Sequence, residues 1–420
     1  MITGAAFTAF LLGGLPIGLV LCLATLSYVV ATRNWQLFDS YLIQLFGGID
    51  SYGLLALPLF ILVGEFMNAG GITTRLLEMT MAITGRIRGS LAYVNVFANG
   101  LISSILGSST TQIAIMAQTL VPEMVRKGYD KNFAVATTVS AGLLGPIIPP
   151  SLIFVIYGVM VQAPIGDMFV AGIIPGLLII ATFCLVIWLM GFWLAYPIEP
   201  HASVRERIGR FMRGLPTMLI PIVILVSIMT GLASPTESAA LACVAALFLG
   251  LGYREIDLRQ LPQMFLRTGL NTAIVLYLVA AANVFTWVLI HGQVPQVVAN
   301  WMTSVASGPV SFMLWLNLIL LVIGTVIDGV AGLILIVPIL YPIATGLYGI
   351  DPIHFGVVVS INLTLGLVSP PVGAALFVGA SLTNTKPSDV FAMSLPFCLA
   401  TCVVLVVLSI WPWFTLALIR

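Results

Sequence analysis

The chain has 420 residues, 60% hydrophobic and only 7% charged, with 16 Lys and Arg against 15 Asp and Glu, and its mean hydropathy is +1.14. A water-soluble domain carries about a quarter of its residues charged, so this composition excludes a soluble enzyme and places the chain in a membrane. The net charge of +1 offers nothing to nucleic acid or another polyanion.

Residues 1–31 are apolar for longer than a signal-peptide core and lack the basic residues that precede one. They are read as a single retained helix. The runs 11–31, 168–196, 214–233, 270–290, 312–327 and 390–418 each approach or exceed the ~20 apolar residues that span hydrocarbon as a helix. The five cysteines, Cys22, Cys184, Cys243, Cys398 and Cys402, lie inside apolar runs with no ligand spacing, which reads as buried thiols rather than disulfides or a metal cluster. The longest polar interruption holds Glu199, Arg205, Glu206, Arg207, Arg210 and Arg213 and by the positive-inside rule faces the cytoplasm. It divides the chain into a first half, 1–198, a basic cytoplasmic loop, 199–214, and a second half, 215–420. A second basic loop carries Arg254, Arg259 and Arg267, and the two spans between these loops turn at 234–238, where Glu237 reads as a capping residue.

Sliding the second half against the first by 221 positions aligns Gly128 and Asp130 with Gly349 and Asp351, Gly145 with Gly366, and Pro149-Pro150 with Pro370-Pro371. A duplicated membrane unit follows. The loop at 126–131 carries Arg126, Lys127 and Lys131, while its counterpart at 347–352 carries no cation. With basic loops inside, the two repeats are expected in opposite orientations, the arrangement in which transport sites form near the midplane where repeats meet.

Each repeat holds two patches incompatible with a continuous helix, Ile105-Leu-Gly-Ser-Ser-Thr-Thr111 with Gly145-Pro-Ile-Ile-Pro-Pro-Ser151, and Gly324-Thr-Val-Ile-Asp-Gly-Val-Ala-Gly332 with Gly366-Leu-Val-Ser-Pro-Pro371. Proline lacks an amide donor and clashes with the carbonyl one turn back, so a Pro-Pro pair leaves carbonyls that lipid cannot satisfy. A cation can, because unwound carbonyls and hydroxyls are hard oxygen donors. Ser108, Ser109 and the carbonyls of 145–150 are expected to form one alkali-cation site, and Thr325, Asp328 and the carbonyls of 366–370 the second. Gly107–Ser109 and Gly324–Gly329 are read as the tips of re-entrant hairpins.

Asp328 is a carboxylate in a long apolar stretch, which marks it as an ion ligand or near-ligand. Glu65 is a second intramembrane candidate with no assigned role. His201, His291 and His354 are scattered and form neither a metal cluster nor a dyad. There is no Walker loop, dinucleotide fingerprint or zinc-protease helix, so energy is expected from an ion gradient rather than ATP. A proton-coupled transporter, a channel and an intramembrane enzyme are the competing readings. Ser109, Thr110, Asn362 and Thr364, polar groups beside the breaks, are the expected substrate contacts.

Together, Leu57-Pro-Leu-Phe-Ile-Leu-Val-Gly-Glu65, Gly107-Ser-Ser109, Gly145-Pro-Ile-Ile-Pro-Pro-Ser151, Ser234-Pro-Thr-Glu237 and Ser369-Pro-Pro371 resemble the large membrane subunit of the tripartite ATP-independent periplasmic transporters, of the dicarboxylate and sialic-acid type. The resemblance covers essentially the whole chain. It implies an all-α bacterial inner-membrane importer of organic acids, driven by Na+ through an elevator movement of two hairpins and two broken helices against a scaffold. It implies a periplasmic binding protein and a small four-helix membrane subunit as partners; since nothing precedes Met1 to supply the latter, a separate chain is expected. It implies one sodium at Ser108, Gly145, Ile148 and Pro150, and a second at Thr325, Gly366, Ser369 and Pro371 with Asp328 close by.

Overall fold

The computed structural model describes residues 2–84, 87–106, 108–197 and 204–420. Among the described residues there are only helices and their connections, with no strand. The chain opens with α1 (Ile2–Leu12) and α2 (Ile17–Thr32), so the run expected as one helix is two, packed against each other. Gly14 at φ +77° and Pro16 at the α2 N-cap turn the chain. Gly adopts that φ without steric cost, and Pro has no N–H with which to continue the ladder.

Then follow α3 (Trp35–Gly47), α4 (Ala56–Ala69) and α5 (Ile72–Thr84). Next come α6 (Ser90–Leu106) and α7 (Ser109–Arg126), which pack on each other, then α8 (Lys131–Ala141), α9 (Leu152–Val161) and α10 (Ile165–Met190). Most of the expected basic loop is helical, α11 (Val204–Gly214). It lies along α5, where Arg207 donates to the Ala82 carbonyl at 2.9 Å. Glu199 and His201 lie outside the described residues. Next are α12 (Leu219–Met229), α13 (Pro235–Gly252), α14 (Leu261–His291) and α15 (Val294–Val305). The chain closes with α16 (Pro309–Gly324), α17 (Gly329–Pro342), α18 (Pro352–Gly366), α19 (Ala374–Thr383), α20 (Pro387–Ile410) and α21 (Trp413–Leu416). Among the described residues seven helices are long and apolar enough to cross a membrane, or eight if α15 and α16, which meet at 116°, form one span.

The Ser234 turn starts α13 with a capping box: Ser234 Oγ accepts from the Glu237 amide at 3.3 Å and the Glu237 carboxylate accepts from the Ser234 amide at 2.7 Å. Two orphan donors of the helix end are thereby satisfied. At the far end of that helix, Arg75 joins α5 to the 253–255 turn, bonding Glu255 at 3.2 Å and lying 4.0 Å over the Tyr253 ring.

α2, α3, α4, α13 and α14 pack among themselves, with α12 against α13. The other body interleaves the two halves of the chain: α7 packs on α19, α9 on α17, α8 on α20, and α10 on both α18 and α20. At its centre, every residue of Phe133–Ala141 in α8 and of His354–Gly366 in α18 is buried. Burial around the whole circumference means that other elements enclose these helices, so α8 and α18 form the core that carries the breaks. Outward-facing Leu185, Trp188, Phe248, Leu399 and Val403 are exposed, the reverse of a soluble protein and what hydrocarbon contact requires.

Candidate ion and substrate site at two helix breaks

The two broken helices begin alike. Asp130 caps α8 by accepting from the Phe133 amide at 2.9 Å, and Asp351 caps α18 by accepting from the Ile353 amide at 2.8 Å. Each follows a glycine at positive φ, Gly128 and Gly349. With 11 and 10 residues, α8 and α9 are about 16 and 15 Å long at 1.5 Å per residue. Neither limb spans the ~30 Å hydrocarbon layer alone, so the break falls inside it.

At the first break the ladder tightens before the prolines stop it: Gly145 donates to the Gly142 carbonyl at 3.1 Å, and Ile147 and Ile148 both donate to the Leu144 carbonyl at 3.0 Å. Pro149 and Pro150, joined by a cis bond, add no donor. Ser151 then starts α9, accepting from the Phe154 amide at 3.3 Å while its hydroxyl donates to the Pro146 carbonyl. Among the described residues nothing donates to the carbonyls of Gly145, Ile148 or Pro150. Gly145 and Pro150 are buried and Ile148 is half-buried, and buried carbonyls require a partner.

That break lies against the start of α7. An ideal Cβ on Gly145 would fall 2.8 Å from Gln112 Oε1 and 3.3 Å from the Ser108 carbonyl carbon, so the missing side chain of Gly145 is what leaves room between these groups. Ser108 is the N-cap position of α7, with Oγ 3.2 Å from Thr110 Oγ1. The structure therefore brings Ser108 and Gly145 together, with Ile148 and Pro150 a few residues along the same segment. Gly107 lies outside the described residues. Ile148 rests on α10, where a Cβ at Gly176 would come within 2.8 Å of its Cγ1.

The second break is built differently. Leu367, Val368 and Ser369 donate in turn to Thr364, Leu365 and Gly366 at 3.0–3.1 Å, a 3₁₀-like tightening. After the cis Pro370-Pro371 bond, Gly373 at φ +48° sends its amide to the Thr325 carbonyl at 3.1 Å. Thr325 and the break are thus joined directly, and the Thr325 and Gly366 carbonyls already hold one amide each, whereas among the described residues nothing donates to those of Ser369 and Pro371. Pro370, Pro371 and Val372 are exposed, whereas Pro149, Pro150 and Ser151 are buried. Asp328 is the N-cap of α17: its Oδ2 accepts from the Val330 amide at 3.1 Å and the side chain is exposed. A 420 Å³ cavity opens beside this break between Thr325, Ser369, Pro371 and the α20 residues Phe391, Cys398 and Cys402.

The four expected substrate contacts lie in two places, two on the first turn of α7 and two on α18. Ser109 is buried and Thr110 half-buried at the first hairpin tip. Asn362 and Thr364 are buried within α18, where Asn362 Nδ2 donates to Asn317 Oδ1 of α16 at 2.9 Å and Thr364 Oγ1 to the Ser360 carbonyl at 2.6 Å.

Sequence reasoning passed over Asn95, Asn99 and Gln112. All three are fully buried and linked, Gln112 to Asn99 at 2.8 Å and Asn99 to Asn95 at 2.7 Å. Their signal was present: amides four residues apart in apolar α6, and a third just beyond the hairpin tip. Also passed over were Gly172 and Gly176, a small-residue pair one turn apart, where α10 receives the break; a Cβ on Gly172 would lie 2.6 Å from the Ile147 carbonyl oxygen.

Residues 5–414 match the family model described as "Tripartite ATP-independent periplasmic transporter, DctM component". The sialic acid TRAP transporter large permease protein SiaM of Vibrio cholerae is 35% identical, over 97% of this chain and 95% of that protein. The C4-dicarboxylate large permease protein DctM of Pseudomonas aeruginosa is 36% identical, over 90% and 89%. The 2,3-diketo-L-gulonate large permease protein YiaN of Escherichia coli is 34% identical, over 97% and 96%. Among solved structures, the YdaH transporter of Alcanivorax borkumensis shares the fold with a TM-score of 0.67 at 17% identity, over 91% of this chain and 89% of that one. The length, order and family-wide extent of these matches leave one conclusion: the chain belongs to the DctM, or large permease, family of tripartite ATP-independent periplasmic transporters, and is a multi-pass inner-membrane transport protein, not an enzyme.

Proposed function

We propose that this chain is the large permease subunit of a sodium-coupled secondary transporter that imports an organic acid delivered by a periplasmic binding protein, with a small membrane subunit as third component. The observation that carries the reading is the buried first break, whose Gly145, Ile148 and Pro150 carbonyls receive no donor from the described residues and which adjoins Ser108 and the unpartnered Gln112 Oε1. Neutral, hard oxygen donors of this kind suit a monovalent alkali cation. Ser108, Gly145, Ile148 and Pro150 would hold one Na+, and Thr325, Gly366, Ser369 and Pro371 a second, with the exposed Asp328 carboxylate adding negative potential nearby. A bound cation would supply positive charge that neutralises the orphan carbonyls and favours an anionic substrate at the hairpin tips.

The matched element order at an offset near 221 and the reciprocal packing of α7 on α19 and α9 on α17 support paired repeats of opposite orientation. The two packed bodies support an elevator movement, in which the interleaved body slides along the group formed by α2, α3, α4, α13 and α14. Relatives named for sialic acid, C4-dicarboxylates and 2,3-diketo-L-gulonate support a carboxylate substrate.

The test is uptake of labelled organic acids by proteoliposomes holding this chain with its small subunit and binding protein. Saturable accumulation under an inward sodium gradient, lost when potassium replaces sodium, is expected. Uptake that ignores sodium but follows a proton gradient would overturn sodium coupling, and unsaturable conductance would overturn the transporter reading.

A further inference from the structure

We propose that Gln112 contributes a neutral side-chain oxygen to the cation at the first break, and that Asn99, Asn95 and Thr138 are positioning residues that hold this oxygen, rather than the amide nitrogen, toward Gly145. The proposal rests on the sodium reading above and adds residues to it.

The argument turns on which way each amide must face. The Asn95 backbone carbonyl can only accept, and Asn99 lies 2.8 Å from it and 2.7 Å from Asn95 Oδ1; the group Asn99 presents there must be its NH2. Asn99 Oδ1 therefore faces the other way, beside the Asn99 backbone carbonyl, which is also only an acceptor. Gln112 meets both, at 2.8 and 2.7 Å, and must present its own NH2. The reversed amide would oppose oxygen to two oxygens. At the distal end Asn95 Nδ2 donates to Thr138 Oγ1 at 2.7 Å, and that hydroxyl donates in turn to the Ala134 carbonyl at 2.9 Å. Every link runs in one direction, from Gln112 through Asn99 and Asn95 to Thr138, and one acceptor is left over at the head of the series.

That acceptor is Gln112 Oε1. It is buried and has no hydrogen-bond partner, which is costly for a polar atom inside a membrane protein. It points into the space that a Gly145 side chain would occupy, with the Ser108 backbone on the other side. Ser109 Oγ, on the same first turn of α7, is likewise buried without a partner. The Gln112 amide hydrogens are spent on Asn99, so what this side chain turns toward Gly145 is an uncharged oxygen, which together with the free carbonyls of the break selects a cation over an anion. It also gives the first site a side-chain ligand that the second cannot copy, because the position 221 residues on is Leu333.

The experiment follows thermal unfolding of the purified full chain with its small subunit, by intrinsic fluorescence, against NaCl concentration with choline chloride holding ionic strength. The same titration with LiCl gives the ion preference. Losing a charge-assisted contact weakens binding roughly ten- to hundredfold, so Gln112→Leu is expected to raise the sodium half-saturation by that factor. Asn99→Leu is expected to raise it about tenfold, the scale of outer-shell changes, and both variants alter the sodium-to-lithium ratio, which a merely loosened fold would leave alone. Gln112→Met keeps the length of the side chain without its oxygen and is expected to raise the half-saturation as Gln112→Leu does; it carries the test should the Leu variant not fold. A wild type that responds to sodium, with Gln112 variants unchanged in half-saturation and ion ratio, overturns this inference and leaves sodium coupling standing. A wild type with no sodium response overturns both.

Discussion

Gly366→Ala probes how closely the second break approaches its hairpin. An ideal Cβ at Gly366 would lie 2.3 Å from the Gly324 carbonyl carbon, 2.5 Å from its Cα and 2.7 Å from its oxygen. The obstacle is backbone on both sides, so no rotamer change relieves it, and α16 and α18 must separate by about 1 Å to reach ordinary contact at ~3.5 Å. Overpacking of this kind costs about 1–3 kcal/mol, here at the top of that range because two buried helices must shift together. At Gly145 the nearest atom to an added Cβ is instead the tip of Gln112, at 2.8 Å. Gly145→Ala is therefore expected to unfold closer to wild type while displacing the oxygen proposed to meet the cation. Gly269→Ala, whose Cβ meets nothing within 4 Å, is the control. In a helix interior it should stabilise by about 0.5–1 kcal/mol. The assay is the midpoint of thermal unfolding in detergent, with sodium-driven uptake measured in parallel. A Gly366→Ala protein that unfolds with wild type and transports normally would refute the close approach of α16 and α18.

Tyr157→Phe removes the 2.5 Å hydrogen bond from the Tyr157 hydroxyl to the Pro352 carbonyl, which ties α9 to the start of α18; a loss of about 1 kcal/mol is expected, and an unchanged unfolding midpoint would show the bond contributes nothing. Asp351→Ala should cost more than Asp130→Ala, since both remove an N-cap worth about 1 kcal/mol but Asp351 also pairs with Arg420. Equal shifts in the two unfolding midpoints would argue that the Arg420 pair is spent in solvent screening.

Some of the architecture was legible because its causes are local. Composition alone placed the chain in a membrane, since a few charges over 420 residues cannot keep so much apolar surface in water. The Pro-Pro dipeptides marked where helices stop, because two successive residues without an N–H remove two adjacent ladder bonds, whereas the single Pro122, Pro175, Pro338 and Pro396 sit inside helices, and the chain breaks at 142–151 and 367–373. Glu237 read as a capping residue for the same local reason. The opening helix was misread because a count of apolar residues is blind to a turn made of Gly13, Gly14, Leu15 and Pro16, which are themselves compatible with lipid. The basic segment was read only as a connection between the two halves, yet helix formation tolerates arginine well, and α5 provides a surface for α11.

What the sequence determined by itself is membrane insertion, the places where helices cannot continue, and the family, each set by residue type within a short window. Only the tertiary structure decided which break meets which hairpin tip, that Asp328 caps α17, that Asn362 bonds Asn317 in another helix, and that three amides and a threonine form one directed series starting at Gln112. These depend on distances between residues far apart in the chain. A buried amide has the same composition whichever way it faces, and its direction is fixed by the neighbouring backbone carbonyls that packing brings to it.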